Sequence, residues 1–373
     1  MYYMASRALF AGSSHKVADQ IADAIVDYVL SIDPDARINC KCLWEKNTLT
    51  IAGNTHAMTG QQIPYISIAQ QVLNFVGYGD AGITYNIAMS PYQAELFSNV
   101  DPDTPIASGL AVGYADDETP SYMPLGQKLA NDISVIMFSE WSSHKIEWLN
   151  PDGEVMLTLR YDDNGEKVVS NLTILAQHRY DYTLEAIAPG VTKICNMALQ
   201  GVKVDPNVKF YINPTGTFIQ GGSKRCIGMS GIHPYSDMYG FYSSMGDSPT
   251  GKDPSYVGRF GNYYARYVAK NIVASGACDR MEVRLAYIPG LPEPASITFD
   301  CYGTEKVQWN KIEKALYQFF NYKSTNIIKQ FGLKTARFLN YTCFGQMGRM
   351  ELDSPWEKLD KVEVLKEFFK KEN

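Results

Sequence analysis

Residues 153–177 read GEVMLTLRYDDNGEKVVSNLTILAQ, and the fold class turns on this stretch. Val155, Leu157 and Leu159 alternate with Met156, Thr158 and Arg160, the period of two that sends successive side chains to opposite faces of a strand. Lys167 to Gln177 supplies a second strand. Asn164-Gly165 between them suits a tight hairpin turn, so an antiparallel pair is expected. Outward from the hairpin the pattern changes to helices and further strands. Toward the N-terminus, Pro64 to Val76 has helical spacing ended by Gly77 and Gly79, and Arg37 to Leu43 alternates as a half-buried strand. Lys16 to Ser31 places Val17, Ile21, Ile25 and Val29 on one stripe of a core-facing helix, with Asp19, Asp23 and Asp27 on the other side. Toward the C-terminus, Gly258 to Ser275 is a strong helix capped by Gly276, and its stripe of Phe260, Tyr264, Tyr267, Val268 and Ile272 reads as core or subunit interface. Arg280 to Tyr287 and Ala295 to Cys301 read as strands, and Val307 to Asn321 and Lys361 to Lys371 as helices. The fold class is α+β, helices layered on mixed or antiparallel sheets, with no βαβ rhythm and no visible internal repeat.

A chain of 373 residues implies two or three domains, and 45% hydrophobic with 20% charged residues is a globular composition. No apolar run approaches the roughly 20 residues of a spanning helix, and the start MYYMASRALF lacks a signal-peptide pattern, so no membrane role and a cytoplasmic location are expected. The seven cysteines are scattered without CxxC or zinc spacing, which favours buried free thiols. A net charge of -6 argues against nucleic acid as a partner. It also means that any polyphosphate ligand would need a local gathering of Lys, Arg or metal.

Two stretches suggest anions. GDSPTGKDPS (246–255) has Gly246, Gly251 and Lys252 at phosphate-loop spacing, but Asp253 stands where the loop needs Ser or Thr, and YGFYSSM before it makes a poor strand. AGSSHK (11–16) sets His15 and Lys16 just ahead of a helix N-terminus, without the glycine-rich loop or acidic metal ligand that would complete a site. His56, His144 and His178 have no ligand-spaced partner and read as surface or core histidines.

Longer segments carry a family resemblance. ADQIADAIVD (18–27), GYADDETPSYMPL (113–125), INPTGTFIQGG (212–222), TGKDPS (250–255), YYARYVAKNIVASG (263–276), PEPASI (292–297) and SPWEKLDKVE (354–363) resemble the S-adenosylmethionine synthetases, or methionine adenosyltransferases, in the family's order along nearly the whole chain. The resemblance implies three interlocked α+β domains, expected here over 1–100, 101–221 and 222–373. It also implies a homodimer, often paired into a tetramer, with active sites at the dimer interface. Members join ATP and methionine into S-adenosylmethionine, an entry to one-carbon metabolism, and then cleave the triphosphate, using magnesium and potassium.

Against that pattern the chain departs at the chemistry. The family's S-E-G-H-P-D-K loop is shortened to leave His15 and Lys16, without the magnesium-binding Asp. Lys41 stands at a potassium-ligand Glu and Asn54 at the methionine-contacting Glu. Ala107 replaces an Asp, Glu154 a Lys, Thr217 an Arg, Cys226 an Asp, Ile232 and His233 an Arg-Lys pair, and Tyr256 and Gly258 a Lys and an Asp. The mobile gate is cut to YQAELF (92–97), and Tyr92, Tyr239 and Tyr256 are candidates to fill the cleft. His15, Lys16 and Lys252 remain as catalytic remnants, and Asp152, Phe218, Lys252 and Asp253 as nucleotide-contacting positions. No metal ligand is assigned. Phosphoryl chemistry rests on positioning and charge neutralisation, and each lost charge-assisted contact is worth about 1.5 to 3 kcal/mol, so several losses remove roughly four decades of rate or affinity. The core segments keep their pattern while the site does not. The expectation is therefore a catalytically inactive or strongly impaired homologue, a non-catalytic or regulatory subunit assembling with itself or with an active paralogue. The alternatives are an active methionine adenosyltransferase with a rebuilt site, using magnesium and potassium, and a module that binds adenosine-like ligands. An ammonium at Lys41 could also hold its strand without a potassium ion.

Overall fold

The computed structural model describes residues 1–56, 62–79, 82–92 and 100–371. Strand β1 (Tyr2–Leu9) leads into helix α1 (Ser14–Ile32), the hairpin β2 (Arg37–Glu45) and β3 (Thr48–His56), helix α2 (Tyr65–Phe75) and strand β4 (Thr84–Pro91). Next come β5 (Gly109–Asp116), α3 (Leu125–Ser142), the hairpin β6 (Leu149–Tyr161) and β7 (Lys167–His178), α4 (Leu184–Ala198) and β8 (Val204–Ile212). The last third holds a two-residue strand β9 (Gly228–Met229), a short turn of helix α5 (Pro234–Asp237), the long α6 (Val257–Ala274) and the antiparallel pair β10 (Arg280–Tyr287) and β11 (Ser296–Asp300). Helices α7 (Trp309–Phe319), α8 (Ser324–Gln330), α9 (Leu339–Thr342) and α10 (Val362–Lys371) follow.

The order hides a repeat that the sequence does not show. A helix, an antiparallel strand pair and a second helix recur three times, as α1-β2-β3-α2, α3-β6-β7-α4 and α6-β10-β11-α7. In the first two units the second helix is a crossover that returns a strand parallel to its neighbour, β4 beside β3 and β8 beside β7, as parallel pairing requires. Each sheet is completed by a strand from another part of the chain. β1 pairs with β6, β5 with β10, and β9 with β2. The three units are thus interlocked through their backbones.

That exchange positions residues 10–16. The β1–β6 ladder sets Leu9 opposite Glu154, and the pairing runs on as Phe10 N–H donates to Gly153 O (2.9 Å) and Gly12 N–H to Pro151 O (3.1 Å). A Cβ on Gly12 would come within 2.5 Å of the Pro151 side chain, so only glycine lets the two segments close. Ser13 then caps α1, its hydroxyl accepting from Lys16 N–H at 3.4 Å.

Buried apolar residues form two clusters, one shared by the first and third units and one inside the second. Helix α6 is buried along almost its entire length, and the stripe from Phe260 to Ile272 is core. Tyr263 stacks on Trp356 with ring centres 3.9 Å apart, while the buried Arg266 donates to the carbonyls of Tyr114 and Ser121 and pairs with Glu357. All seven cysteines are free, and only Cys226 is exposed. Among the described residues no helix is long and apolar enough to cross a membrane.

Helix α1 corrects the amphipathic reading, because its acidic side is as dry as its apolar one. Asp19, Asp23 and Asp27 are 1%, 0% and 6% exposed. Four-residue spacing stacks them on one face, and each carboxylate fastens a different distant segment. Asp19 pairs with Lys16 and accepts from Gly231 N–H (2.6 Å). Asp23 pairs with Arg259 and accepts from Gly251 N–H (2.8 Å) and the Thr342 hydroxyl (2.8 Å). Asp27 accepts the backbone N–H groups of Phe338 (2.7 Å) and Leu339 (3.0 Å), although burial still raises its carboxyl to about 6. Buried carboxylates are tolerated only with such partners, and no helical periodicity announces partners more than 200 residues away.

Candidate functional site

The residues singled out in the sequence gather where the α1 N-terminus, the start of β6, the 213–233 segment and the 246–256 loop approach one another. His15 lies in the first turn of α1. Its Nδ1 accepts Met229 N–H (3.2 Å), and its ring meets that of His233 edge to face with centres 4.5 Å apart. Burial lowers His15 below its usual range. Burial first, and then the positive charges of His15, Arg7 and Lys16, push His233 down to about 4. Both shifts favour the uncharged imidazole. The Nε2 of His233 is buried without a hydrogen-bond partner.

Lys16 does not face the cleft. Its ammonium is buried between Asp19 (2.9 Å) and Asp237 and donates to Thr342 O (3.1 Å). Burial disfavours its charge, but the two carboxylates outweigh that and hold it firmly protonated. Beside it, Arg7 is paired with Glu154, the acid at a position where the resemblance implies a lysine. Ser14 Oγ lies 3.1 Å from the exposed Cys226 Sγ.

Asp152 and Phe218 do come together, through Arg225. The Arg225 guanidinium sits over the Phe218 ring, 4.5 Å from its centre, and 3.5 Å from Asp152 Oδ1. Burial drives the Asp152 carboxyl up to about 7, against the opposing pull of Arg225 and the N–H groups of Gly222 and Gly153. A planar cation thus covers one face of the Phe218 ring. Phe218 is itself fixed by His178, a fully buried histidine whose Nε2 accepts Phe218 N–H (3.1 Å).

The 246–256 loop is no phosphate cradle of the strand–loop–helix kind. A short 3-10 turn at Gly240–Tyr242, not a strand, comes before it. Gly251, at φ +75°, gives its N–H to Asp23, and a Cβ there would lie 1.9 Å from Cys40 O. Asp253 points inward, accepting from Ile38 N–H (2.7 Å), Ser255 N–H (2.8 Å) and the Ser255 hydroxyl, with Arg37 at 3.9 Å. Its carboxylate is committed to joining the loop to β2. Lys252 is different. Its Nζ lies 5.7 Å from the Tyr256 ring centre, and burial with repulsion from Lys41 lowers it to about 8. Lys41 donates to Thr250 O (3.3 Å). Among the described residues neither lysine forms an ion pair. Tyr256 is bonded to Tyr92 through their hydroxyls, whereas Tyr239 is a core residue under Tyr114. Residues 93–97 of the shortened gate lie outside the described residues.

Three models of S-adenosylmethionine synthetase domains match this chain in order: the N-terminal domain over residues 1–98, the central domain over 106–218 and the C-terminal domain over 220–358. The chain is also 31% identical over 382 aligned residues to the S-adenosylmethionine synthase of Syntrophobacter fumaroxidans (strain DSM 10017 / MPOB), covering 98% of each. The chain belongs to the S-adenosylmethionine synthetase family. The family's implied magnesium asks for carboxylate oxygens open to an octahedral ion. Here Asp19, Asp23 and Asp237 are already held by Lys16, Arg259 and backbone N–H groups. No group of three His, Cys, Asp or Glu able to hold a metal exists among the described residues. These side chains do not fit the ion.

Sequence reasoning found Lys41 and Lys252 but missed the closing partners. Arg225, Asp237 and the Arg7–Glu154 pair are isolated polar residues in the sequence, and only Lys16–Asp19, at i and i+3, carried a local signal.

Proposed function

We propose that this chain is a non-catalytic or strongly impaired S-adenosylmethionine synthetase homologue that serves as a regulatory subunit beside an active paralogue. One observation carries the reading: the cations around the site are cancelled from within. Arg7, Lys16, Arg37, Arg225 and Arg259 each have a carboxylate within 4 Å, which leaves Lys41 and a partly deprotonated Lys252. The family reaction passes through a triphosphate, whose charge must be met by preorganised cations and metal. Exposed apolar side chains on strands of all three sheets, among them Ile87, Leu110, Met156 and Tyr211, support assembly through the sheet faces that the helices leave uncovered.

The test is a pair of assays on the full chain. Alone with ATP, methionine, magnesium and potassium, it should form no S-adenosylmethionine. Mixed with an active homologue from the same cell, it should co-migrate and change that enzyme's kinetics. Unaided turnover at a rate typical of the family would overturn the loss of catalysis. Failure to associate with any active homologue would overturn the regulatory role.

A further inference from the structure

We propose that a cavity at the junction of the three units, on the helical side of the molecule, binds an organic anion with an aromatic body and a single carboxylate. The cavity measures about 750 Å³, the size of a drug-like ligand site, and is walled by α1, α2, α3 and the 337–349 segment. Its apolar wall is a run of three rings from three parts of the chain. Phe75 and Phe138 have ring centres 5.6 Å apart, and Phe138 and Phe344 5.4 Å. Phe75 is 63% exposed, a large apolar group left facing the opening. Phe344 sits at φ +67°, a conformation that a bulky side chain adopts only when its surroundings impose it.

Two of the three charged side chains that line the cavity are guanidiniums. Arg337 lines the cavity, donates only weakly to Asp27 O (3.3 Å) and forms no ion pair among the described residues. Arg349 is anchored by Cys343 O (2.8 Å) and lies 5.7 Å from the Phe344 ring centre, its exposed partner Glu351 standing outside the cavity lining. The one lining carboxylate, Asp27, is largely buried and already accepts a backbone N–H group on each oxygen. Two guanidiniums beside an aromatic wall select a planar anion, since the fork geometry matches a carboxylate and the rings match its body. The proposal stands whether or not catalysis survives at the other site, which meets this cavity at Ala11 and at Gln20, the latter bonded to Ala11 O and Lys16 O.

Calorimetric titration of the full chain with 2-naphthoate, and with the neutral 2-naphthamide as its isostere, tests this. Naphthoate should saturate one site per chain, and naphthamide should bind at least about tenfold more weakly. Arg337→Gln and Phe75→Ser both change exposed side chains, so the fold should hold. The first should weaken naphthoate by about tenfold and the second by several-fold. No saturable binding, equal affinity for the two probes, or binding unchanged in both variants would overturn the proposal.

Discussion

Two groups of charges in this molecule lie near each other and behave in opposite ways. Around Lys16, Asp19, Asp23 and Asp237 every charge is buried and answered, by a counter-ion or by backbone N–H groups from segments far along the chain. Around Lys41 and Lys252 two ammoniums repel each other with no ion pair to either among the described residues, and burial, against the weaker pull of Asp247, brings Lys252 down to about 8. The first group is a fastening. The second is what remains of a surface that could meet an anion. On the function proposed above, the closure of the first region leaves the second as the only part of the site whose cations are not paired with carboxylates among the described residues.

The largest test of that contrast is Lys16→Met. It strands Asp19 and Asp237 without their ammonium, and breaking a buried pair in this way costs about 3 to 5 kcal/mol, read as a lower urea midpoint. A loss below about 1 kcal/mol would show that Lys16 is not a fastening.

The histidine pair gives a pH signature. His233 is held below its unfolded value of 6.5, so between about pH 4 and 6.5 the unfolded chain binds more protons there than the folded one. Its contribution is present above pH 6.5 and is lost as the pH falls toward 4. Asp152 and Asp27, raised by burial to about 7 and 6, act in the opposite sense and favour the folded state at lower pH. The comparison that isolates His233 is with His233→Asn. From pH 7 to pH 5 the wild type should lose about 1 to 2 kcal/mol relative to the variant, a figure already discounted for the half-exposed ring.

Much of this architecture was legible before any coordinates. The β6–β7 hairpin announced itself because period-two alternation met an Asn-Gly turn, and α6 because aromatic and aliphatic side chains kept helical spacing up to a glycine stop. Lys252 was recognisable from TGKDPS, and so was the loop that holds it. Three things were not legible. Strand β5 carries Gly109 and Gly113, and a Cβ at Gly113 would meet the α6 backbone at 2.0 Å, so close packing replaces the usual strand composition. The exchange of β1, β5 and β9 between sheets depends on contacts that local pattern does not encode. The meaning of Asp253 and of the α1 aspartates was hidden for the same reason, since an acid turned inward reads like one turned outward until its donors are known.

Smaller effects sharpen the open side of the comparison. Lys41→Gln removes the ammonium that ties β2 to Thr250 O, and should cost about 1 kcal/mol while raising the Lys252 value by relieving repulsion. The wild type should melt at the same temperature in potassium and in sodium. A potassium-specific rise would count against an ammonium standing in for the ion. Smallest is Arg225→Ala, which uncovers Phe218 and frees one side of Asp152. Stability should change by less than about 1 kcal/mol, while calorimetry should show adenosine binding several-fold tighter than in the wild type.

The most direct measurement is titration of the isolated full chain with inorganic tripolyphosphate and magnesium, followed by calorimetry. With most of its cations already paired with Glu154, Asp19, Asp23, Asp237 and Asp253, the protein should show no saturable binding tighter than about 1 mM. A micromolar dissociation constant, weakened in Lys252→Met, would contradict the closed cradle described here.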